Sequence, residues 1–268
     1  RCVGLVFGGG HLLVNAVEVV EVMGLREVDR LVRVEGGRTI DLVGYTTAAL
    51  LLEVVFQLEE SVPSGGVDIL ATGFILIAFL IQVARASMGK PLYRVSELST
   101  TFFGVFLTAG LLSYIFRFHS LADLFPDASW PAFVLIPVVG AWGYDSSAFF
   151  SGKFFGEATY LPHVSRKTWE GTAGGLLGVS VGMAFFAGIT GLAQTIPELG
   201  KWWSLGLICG LAAQVGDLGF SVFKREMQLK DSGNSIPGHG GILDRLDSFL
   251  FVLPVAFTLM GIFFGMSG

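Results

Sequence analysis

Long apolar segments recur along the chain, and they restrict its fold more than any other feature of the sequence. A helix needs about 20 residues to cross the hydrocarbon core of a bilayer, so apolar stretches of roughly that length are candidate spans. Eight such segments lie near residues 2–25, 40–58, 67–84, 98–118, 130–151, 172–193, 202–223 and 247–266. They predict an all-α fold, a polytopic bundle of about eight transmembrane helices.

The composition supports this prediction and argues against one class of function. Hydrophobic residues make up 52% of the sequence and charged residues only 15%, whereas soluble domains are about 25% charged. The formal net charge of -5 argues against nucleic-acid binding, which requires a basic surface to neutralise backbone phosphates. The sequence begins at Arg1 rather than at methionine, so we expect that an N-terminal piece is missing.

The first apolar segment is the least typical candidate span. It contains His11, Glu18 and Glu21, and ionisable side chains are costly in contact with lipid. Two interpretations are open: an imperfect span, or an interfacial helix whose acidic side faces other parts of the protein.

Basic residues are distributed unevenly between the connections. Four alternate connections hold 14 of the 17 lysines and arginines. These are Arg26, Arg30, Arg33, Arg38, Arg85, Lys90, Arg94, Lys153, Arg166, Lys167, Lys224, Arg225, Lys230 and Arg245. Because cytoplasmic loops are enriched in basic residues, we expect 152–171 and 224–246 to lie on the cytoplasmic face of a bacterial inner membrane or an equivalent organelle membrane.

Asp217 is the first indication of a functional site. It lies within an apolar segment, where an ionised carboxylate costs about 2.5 to 3.5 kcal/mol unless it is paired or bound to a metal. If 211–225 is helical, one face carries a carboxylate, a hydroxyl and two cations, from Asp217, Ser221, Lys224 and Arg225.

A second acidic face follows shortly afterwards. If the next helix begins near Gly241, Asp244, Asp247 and Ser248 fall on one side of it. Carboxylates completed by waters and substrate phosphates are the ligands that Mg²⁺ prefers. Two such faces that converge therefore predict a magnesium site.

The glycine-rich loop between the two acidic faces is suited to binding an anion. Residues 237–241 read Pro-Gly-His-Gly-Gly, and glycine allows backbone N–H groups to approach a phosphate closely ahead of a helix N-terminus. His239 is a candidate phosphate ligand or proton donor. The alternative is an ordinary solvated loop with aspartates at helix ends, which leaves Asp217 unexplained.

These residues together resemble the signature of the phosphatidate cytidylyltransferases, also called CDP-diacylglycerol synthases. The resemblance is carried by Ser221, Lys224, Arg225, Lys230, Asp231, Gly233, Pro237, His239, Gly240, Gly241, Asp244, Arg245 and Asp247. Upstream, Asp145-Ser146, the run from Gly152 to Gly156 and the run from Ser165 to Gly171 resemble other cytoplasmic motifs of that family. The resemblance covers roughly residues 140–250.

The resemblance implies a reaction and a division of the chain. The phosphate of phosphatidic acid is expected to attack the α-phosphorus of CTP, which gives CDP-diacylglycerol and pyrophosphate. Residues 1–130 are then N-terminal transmembrane helices, and 131–268 form the catalytic region with its cytoplasmic loops. Mg²⁺ is the expected cofactor, with room for a second, monovalent cation such as K⁺, and a homodimer is a family expectation.

The resemblance also implies roles for individual residues. The expected metal ligands are Asp217 and Asp244, helped by Asp231 and Asp247. Catalysis is expected to rest on Asp217, Asp244, Lys224, Arg225 and His239. The expected substrate-binding residues are Asp145, Ser146, Lys153, Lys167, Ser221, Lys230, Gly240, Gly241 and Arg245. For the lysines and arginines, the alternative is a purely topological role as cytoplasmic charges.

Three other functions compete with this interpretation. A related enzyme would use CTP with a different acceptor, an archaeal ether-lipid phosphate or a polyprenol, and acceptor competition separates the two. A transporter or channel would use Asp145 and Asp217 in an ion pathway, and it predicts flux without nucleotide. A non-catalytic lipid-binding scaffold does not explain why every signature position is intact.

Overall fold

In the computed structural model, the regular secondary structure of the described residues is helical. The structure describes residues 11–34, 36–58, 66–123, 130–160, 162, 165, 167–235, 238 and 240–263. The helices are α1 (His11–Val34), α2 (Asp41–Leu58), α3 (Gly66–Ser87), α4 (Val95–Val105), α5 (Tyr114–Asp123), α6 (Trp130–Phe155), α7 (Trp169–Ile189), α8 (Leu192–Thr195), α9 (Leu199–Glu226) and α10 (Leu243–Phe263). A π-helical segment, Phe106–Gly110, follows α4 directly and precedes α5 in the chain. The predicted all-α fold is confirmed.

In the part of the chain that the structure describes, each predicted apolar segment overlaps a helical stretch, but fewer segments meet the requirements of a membrane span. Within the described residues, five helical stretches are long and apolar enough to cross a bilayer: Val95–Phe118, Pro131–Phe155, Trp169–Ile189, Leu199–Glu226 and Leu243–Phe263. Two shorter apolar stretches, Val43–Gln57 and Gly73–Ser87, lie in α2 and α3. The count of eight spans therefore stays a prediction.

The first helix turns its acidic side toward the protein. In α1, Glu21 is completely buried and Glu27 is 3% exposed, while Val19 on another side is largely exposed. Of the two interpretations of this segment, the structure favours the helix that packs its acidic side against other parts of the chain.

The chain divides into two compact units. One comprises Arg1–Phe116 with Asp231–Leu243, and the other comprises Arg117–Lys230 with Asp244–Gly268. The first unit thus includes the glycine-rich loop as well as the N-terminal helices. The predicted division into N-terminal helices and a catalytic region from residue 131 stays a prediction.

Within the second unit, glycines bring α6, α7 and α9 close together. A Cβ atom on Gly175 of α7 would lie 2.7 Å from the ring of Tyr144 in α6. One on Gly206 of α9 would lie 2.7 Å from Cα of Ser180 in α7. Small residues at such contacts allow transmembrane helices to approach closely. This packing places polar side chains of three helices around one cavity.

Gly216 makes the corresponding contact between α9 and α10, and it supports the first prediction. A Cβ atom there would overlap the backbone carbonyl of Asp247 and lie 2.9 Å from the Phe251 ring. We expect Gly216→Ala to lower the free energy of unfolding by about 1 to 3 kcal/mol, because overpacking a tight interface forces the backbone to move. The measurement is the thermal unfolding midpoint in detergent.

Gly219, one turn further along α9, provides the matched control. No atom of the described residues lies within 4 Å of a Cβ atom added there. Gly219→Ala should leave the midpoint unchanged or raise it slightly, since alanine favours a helix by about 1 kcal/mol over glycine. Equal midpoints for the two variants would contradict the tight contact between α9 and α10.

Candidate functional site

A cavity of about 480 Å³ lies in the second unit. Its volume falls within the range of about 300 to 1,000 Å³ that is typical of ligand pockets. The lining residues are Tyr144, Asp145, Ala148, Phe149, Gly152, Lys153, Lys167, Thr168, Gly171, Thr172 and Asp217. Of the residues predicted from sequence, the cavity thus brings together Asp145, Lys153, Lys167 and Asp217.

Three helices and one connection build the cavity wall. The C-terminal half of α6 contributes residues between Tyr144 and Lys153 at spacings of one and three, which place them on one face of the helix. The start of α7 contributes Gly171 and Thr172, and α9 contributes Asp217. Phe149, at the cavity, is 63% exposed, so one wall is apolar and open to the surroundings.

An ion pair between Lys167 and Asp217 is the main polar feature of the cavity. Nζ of Lys167 contacts Oδ2 of Asp217, and the two side chains are 22% and 24% exposed. The hydroxyl of Ser221, one turn along α9, donates a hydrogen bond of 3.3 Å to Oδ1 of Asp217. The carboxylate that was predicted to be costly in an apolar segment is therefore paired.

Local contacts hold the connection that carries Lys167. The backbone N–H of Tyr160 donates to the carbonyl of Lys167 at 3.3 Å, and the Thr168 hydroxyl accepts a 3.1 Å bond from the backbone N–H of Gly171 as N-cap of α7. Gln214 of α9 donates a 2.9 Å bond to the Tyr160 hydroxyl. These contacts tie the connection to both α7 and α9, which fixes the position of Lys167.

Asp217 belongs to a cluster of carboxylates from three helices. Its charge interacts with those of Asp145 in α6 and Asp247 in α10. The hydroxyl of Ser248 lies 3.4 Å from Oδ1 of Asp145 and 3.4 Å from Oδ1 of Asp247. The Ser248 hydroxyl thus lies between Asp145 of α6 and Asp247 of α10, and the charge of Asp217 in α9 acts on both carboxylates. The convergence of these acidic faces on one metal ion stays a prediction.

Asp244 forms a second, more buried ion pair. Nζ of Lys224 lies 2.6 Å from Oδ1 of Asp244, and both side chains are 11% exposed. Lys224 also interacts electrostatically with Asp247, which connects this pair to the carboxylate cluster. The two lysines and the carboxylates therefore form one charged network across α6, α9 and α10.

The chemistry of this network suits a hard cation. Four carboxylates, from Asp145, Asp217, Asp244 and Asp247, share two ammonium groups, from Lys167 and Lys224, so negative charge is in excess when all are ionised. Among the described residues, no three His, Cys, Asp or Glu side chains form a ready metal-ligand group. Mg²⁺ suits such a site, because it takes one or two carboxylates and completes its shell with waters and substrate phosphates.

Other residues predicted for the site lie elsewhere or outside the described chain. Ser146 and Lys230 are exposed, and Arg245 is exposed at the start of α10. Arg225 is exposed and donates a 3.1 Å bond to the carbonyl of Leu229. Asp231, Gly240 and Gly241 belong to the first unit, and His239 lies outside the described residues.

Several residues of the site were not predicted from sequence. Tyr144, Thr168 and Thr172 line the cavity, and Gln214 holds the connection. Gln214 had a detectable signal, since it is a polar residue in an apolar helix three positions before Asp217. Thr168 had another, because threonine is a favoured N-cap residue.

Comparison with known proteins extends the similarity to nearly the whole chain. The model of the cytidylyltransferase family matches residues 2–263, well beyond the 140–250 region in which the sequence motifs lie. The phosphatidate cytidylyltransferase of Synechocystis is 28% identical over 279 residues, which cover 93% of this chain and 88% of that protein. Phosphatidate cytidylyltransferase 4, chloroplastic, of Arabidopsis thaliana is 30% identical, over 96% of this chain and 69% of that protein.

A bacterial relative is more similar over a shorter region. The phosphatidate cytidylyltransferase of Bacillus subtilis is 41% identical over 132 residues, which cover 49% of this chain and 48% of that protein. The similarity to this relative therefore covers about half of the chain.

Proposed function

Because the chain belongs to the cytidylyltransferase family, we propose that it transfers a cytidylyl group from CTP to phosphatidic acid, which gives CDP-diacylglycerol and pyrophosphate. The observation that carries this proposal is the cavity where Lys167 and Asp217 pair beside Asp145. The three relatives named above are phosphatidate cytidylyltransferases. Ammonium groups and carboxylates in one partly enclosed site suit the handling of a triphosphate.

The reaction forms one phosphorus–oxygen bond and breaks another. A phosphate oxygen of phosphatidic acid attacks the α-phosphorus of CTP, and the bond between the α-phosphorus and the bridging oxygen breaks, so pyrophosphate leaves. The attacking phosphate is already ionised and needs no strong base. Lys167 and Lys153, at the cavity, bind phosphate oxygens and offset the repulsion between the two anionic substrates.

We propose that Asp217 holds Mg²⁺ together with one further carboxylate of the cluster that Asp145 and Asp247 complete, and that waters and substrate phosphates fill the rest of its shell. Bound there, the ion supplies charge stabilisation for the transferred group and the leaving pyrophosphate. The interacting charges of these carboxylates provide the excess negative potential that a divalent cation offsets. Asp244 pairs with Lys224, and its predicted role as a metal ligand stays a prediction, as do that of Asp231 and a monovalent cation such as K⁺.

The charge pattern of the sequence supports a proposed orientation, and one wall of the cavity supports a proposed approach for the lipid. We place the cavity at the cytoplasmic face, because Lys153, Lys167 and Lys224 belong to the connections rich in basic residues. The exposed ring of Phe149 beside the cavity suits contact with acyl chains, since aromatic rings favour the membrane interface. Eight spans and a homodimer are parts of the proposal that rest on the sequence patterns and the resemblance.

The experiment that tests the function uses the purified full chain in mixed micelles with Mg²⁺, CTP and phosphatidic acid. We expect pyrophosphate and CDP-diacylglycerol to form in equal amounts, and neither to form when the lipid is left out. Replacement of phosphatidic acid by an ether-lipid phosphate or a polyprenyl phosphate identifies the acceptor. Faster turnover with either substitute, or pyrophosphate release that is independent of lipid, would contradict the proposal.

A further inference from the structure

The carboxylate of Glu27, in α1, lies at the centre of a hydrogen-bond network with a segment more than 200 residues away. We name the described residues of 232–243, which are 232–235, 238 and 240–243, the loop segment; it contains Gly240 and Gly241 and ends at the first residue of α10. Glu27 is 3% exposed. Both Glu27 and the loop segment belong to the first unit.

Four donors of the loop segment share the two oxygens of this carboxylate. Oε1 accepts from the backbone N–H of Ile242 at 2.8 Å and from the Ser235 hydroxyl. Oε2 accepts from the backbone N–H of Leu243 at 3.0 Å and from the Ser232 hydroxyl at 2.7 Å. Each oxygen thus receives one backbone and one hydroxyl donor, an arrangement that suits an ionised carboxylate, which only accepts.

Glycines in both α1 and the loop segment make room for this contact. A Cβ atom on Gly233 would lie 2.7 Å from Oε1 of Glu27, and one on Gly241 would overlap the same carboxylate. On α1, Gly24 lies one turn before Glu27, and a Cβ atom there would lie 3.3 Å from the Leu243 side chain. The loop segment is therefore shaped around Glu27 rather than merely close to it.

The contact also defines where α10 begins. The first N–H groups of a helix have no partner within the helix, and here Glu27 accepts from those of Ile242 and Leu243. Leu243 is followed directly in the chain by Asp244, the partner of Lys224. A shift of the helix start would move Asp244 and, one turn later, Asp247.

We propose that Glu27 is a positioning residue for cytidylyl transfer: it fixes the loop segment and the start of α10, and so the predicted phosphate-binding glycines and the acidic side chains of that helix. This inference rests on the proposed function. Glu27 contacts the loop through its backbone and serines and acts on the reaction through them. Through Glu27, the N-terminal part of the chain thus has a role in activity.

The test is Glu27→Gln in the full chain. Glutamine offers one oxygen and one NH₂ group, and because each oxygen of Glu27 now accepts from a backbone N–H, either orientation of the amide sets NH₂ against an N–H donor. We expect kcat to fall about 10- to 100-fold, since small misplacements have effects of this size. The unfolding midpoint should fall as well, because a buried N–H donor is left without an acceptor, so kcat is compared at a temperature at which both proteins are folded.

Hydrogen exchange provides a second readout that separates positioning from general stability. Peptides that contain Ile242 and Leu243 should exchange their amide hydrogens at least about tenfold faster in Glu27→Gln. Local opening then costs less free energy, because it no longer breaks hydrogen bonds from these N–H groups to a carboxylate. Glu18→Gln, on the same helix and only partly buried, is the matched control and should match the wild type in both kcat and exchange.

The possible failures can be told apart. If the wild-type chain does not transfer the cytidylyl group, the proposed function fails before Glu27 is tested. If the wild type is active and Glu27→Gln matches it in kcat and in exchange, the positioning role is wrong. If Glu27→Gln does not fold, Ser232→Ala, which removes one donor at a buried position, decides: a lower kcat with faster exchange supports the role, and an unchanged kcat overturns it.

Discussion

Asp217→Asn should lower the rate of cytidylyl transfer by at least about 100-fold while the protein stays folded. The change removes the charge that pairs with Lys167 and that joins the interacting carboxylates of Asp145 and Asp247. Loss of one electrostatic group that acts on the transition state typically costs about 10²- to 10³-fold in kcat. The measurement is pyrophosphate release at saturating CTP and phosphatidic acid.

The shape of the side chain is almost unchanged in this variant, so packing effects are small. Glu226→Gln removes a carboxylate from the exposed end of the same helix and is the matched control, which should retain full activity. A shift of the Mg²⁺ concentration needed for half-maximal rate toward higher values is expected for Asp217→Asn alone. Retained activity in Asp217→Asn would show that Asp217 has no essential role in the site.

Asp244→Asn should produce the largest loss of stability among single substitutions in the second unit. It leaves the ammonium of Lys224 with a neutral partner at a position where both side chains are 11% exposed. Removal of one member of a buried ion pair costs about 3 to 5 kcal/mol when the remaining charge has no other partner, and the charge of Asp247 offsets part of this loss for Lys224. Chemical unfolding in detergent, followed by circular dichroism, measures the change.

A double variant separates the ion pair from the rest of the contact. Lys224→Met combined with Asp244→Asn removes both charges, and we expect it to lose much less stability than the sum of the two single changes. Glu198→Gln breaks an exposed ion pair with Lys201, where Glu198 is 60% exposed, and should cost less than about 1 kcal/mol. Equal losses for Asp244→Asn and Glu198→Gln would contradict a buried pair.

The helices and much of the acidic site follow from short-range patterns in the sequence. The length of the apolar segments predicts the helices, because a segment that crosses a bilayer must satisfy its own backbone hydrogen bonds and a helix does so. Asp217 stands out since a carboxylate in an apolar segment requires a partner. The shared face of Asp217 and Ser221 is observed directly, in their hydrogen bond.

The partners of these residues depend on packing that no short-range pattern specifies. The sequence predicts that Asp217 needs a cation, but it does not determine that Lys167, 50 positions earlier, supplies it. It groups Asp217 with both Asp244 and Asp247, but it does not determine that Asp244 pairs with Lys224 or that Asp145 of α6 lies near Asp247. The helices pack closely at glycines such as Gly175 and Gly206, and this packing decides which side chains meet.

Glu27 illustrates the same limit over a longer distance. Read along the chain, it is one acidic residue among several in a helix with many charges. Its significance appears only when α1 and the loop segment are brought together, because four donors then converge on one carboxylate. The signature glycines Gly233 and Gly241, which suggest a phosphate loop, have a second structural reason in their contact with this side chain.

A structure of the protein with Mg²⁺ and a CTP analogue that carries a methylene bridge between the α- and β-phosphorus atoms tests the central claim most directly. We predict that the triphosphate occupies the cavity, with Nζ of Lys167 at hydrogen-bond distance from a phosphate oxygen. An Asp217 oxygen should lie about 2.0 to 2.1 Å from the ion, as magnesium requires. A nucleotide bound elsewhere, with the ion pair of Lys167 and Asp217 intact and the cavity empty, would contradict the account.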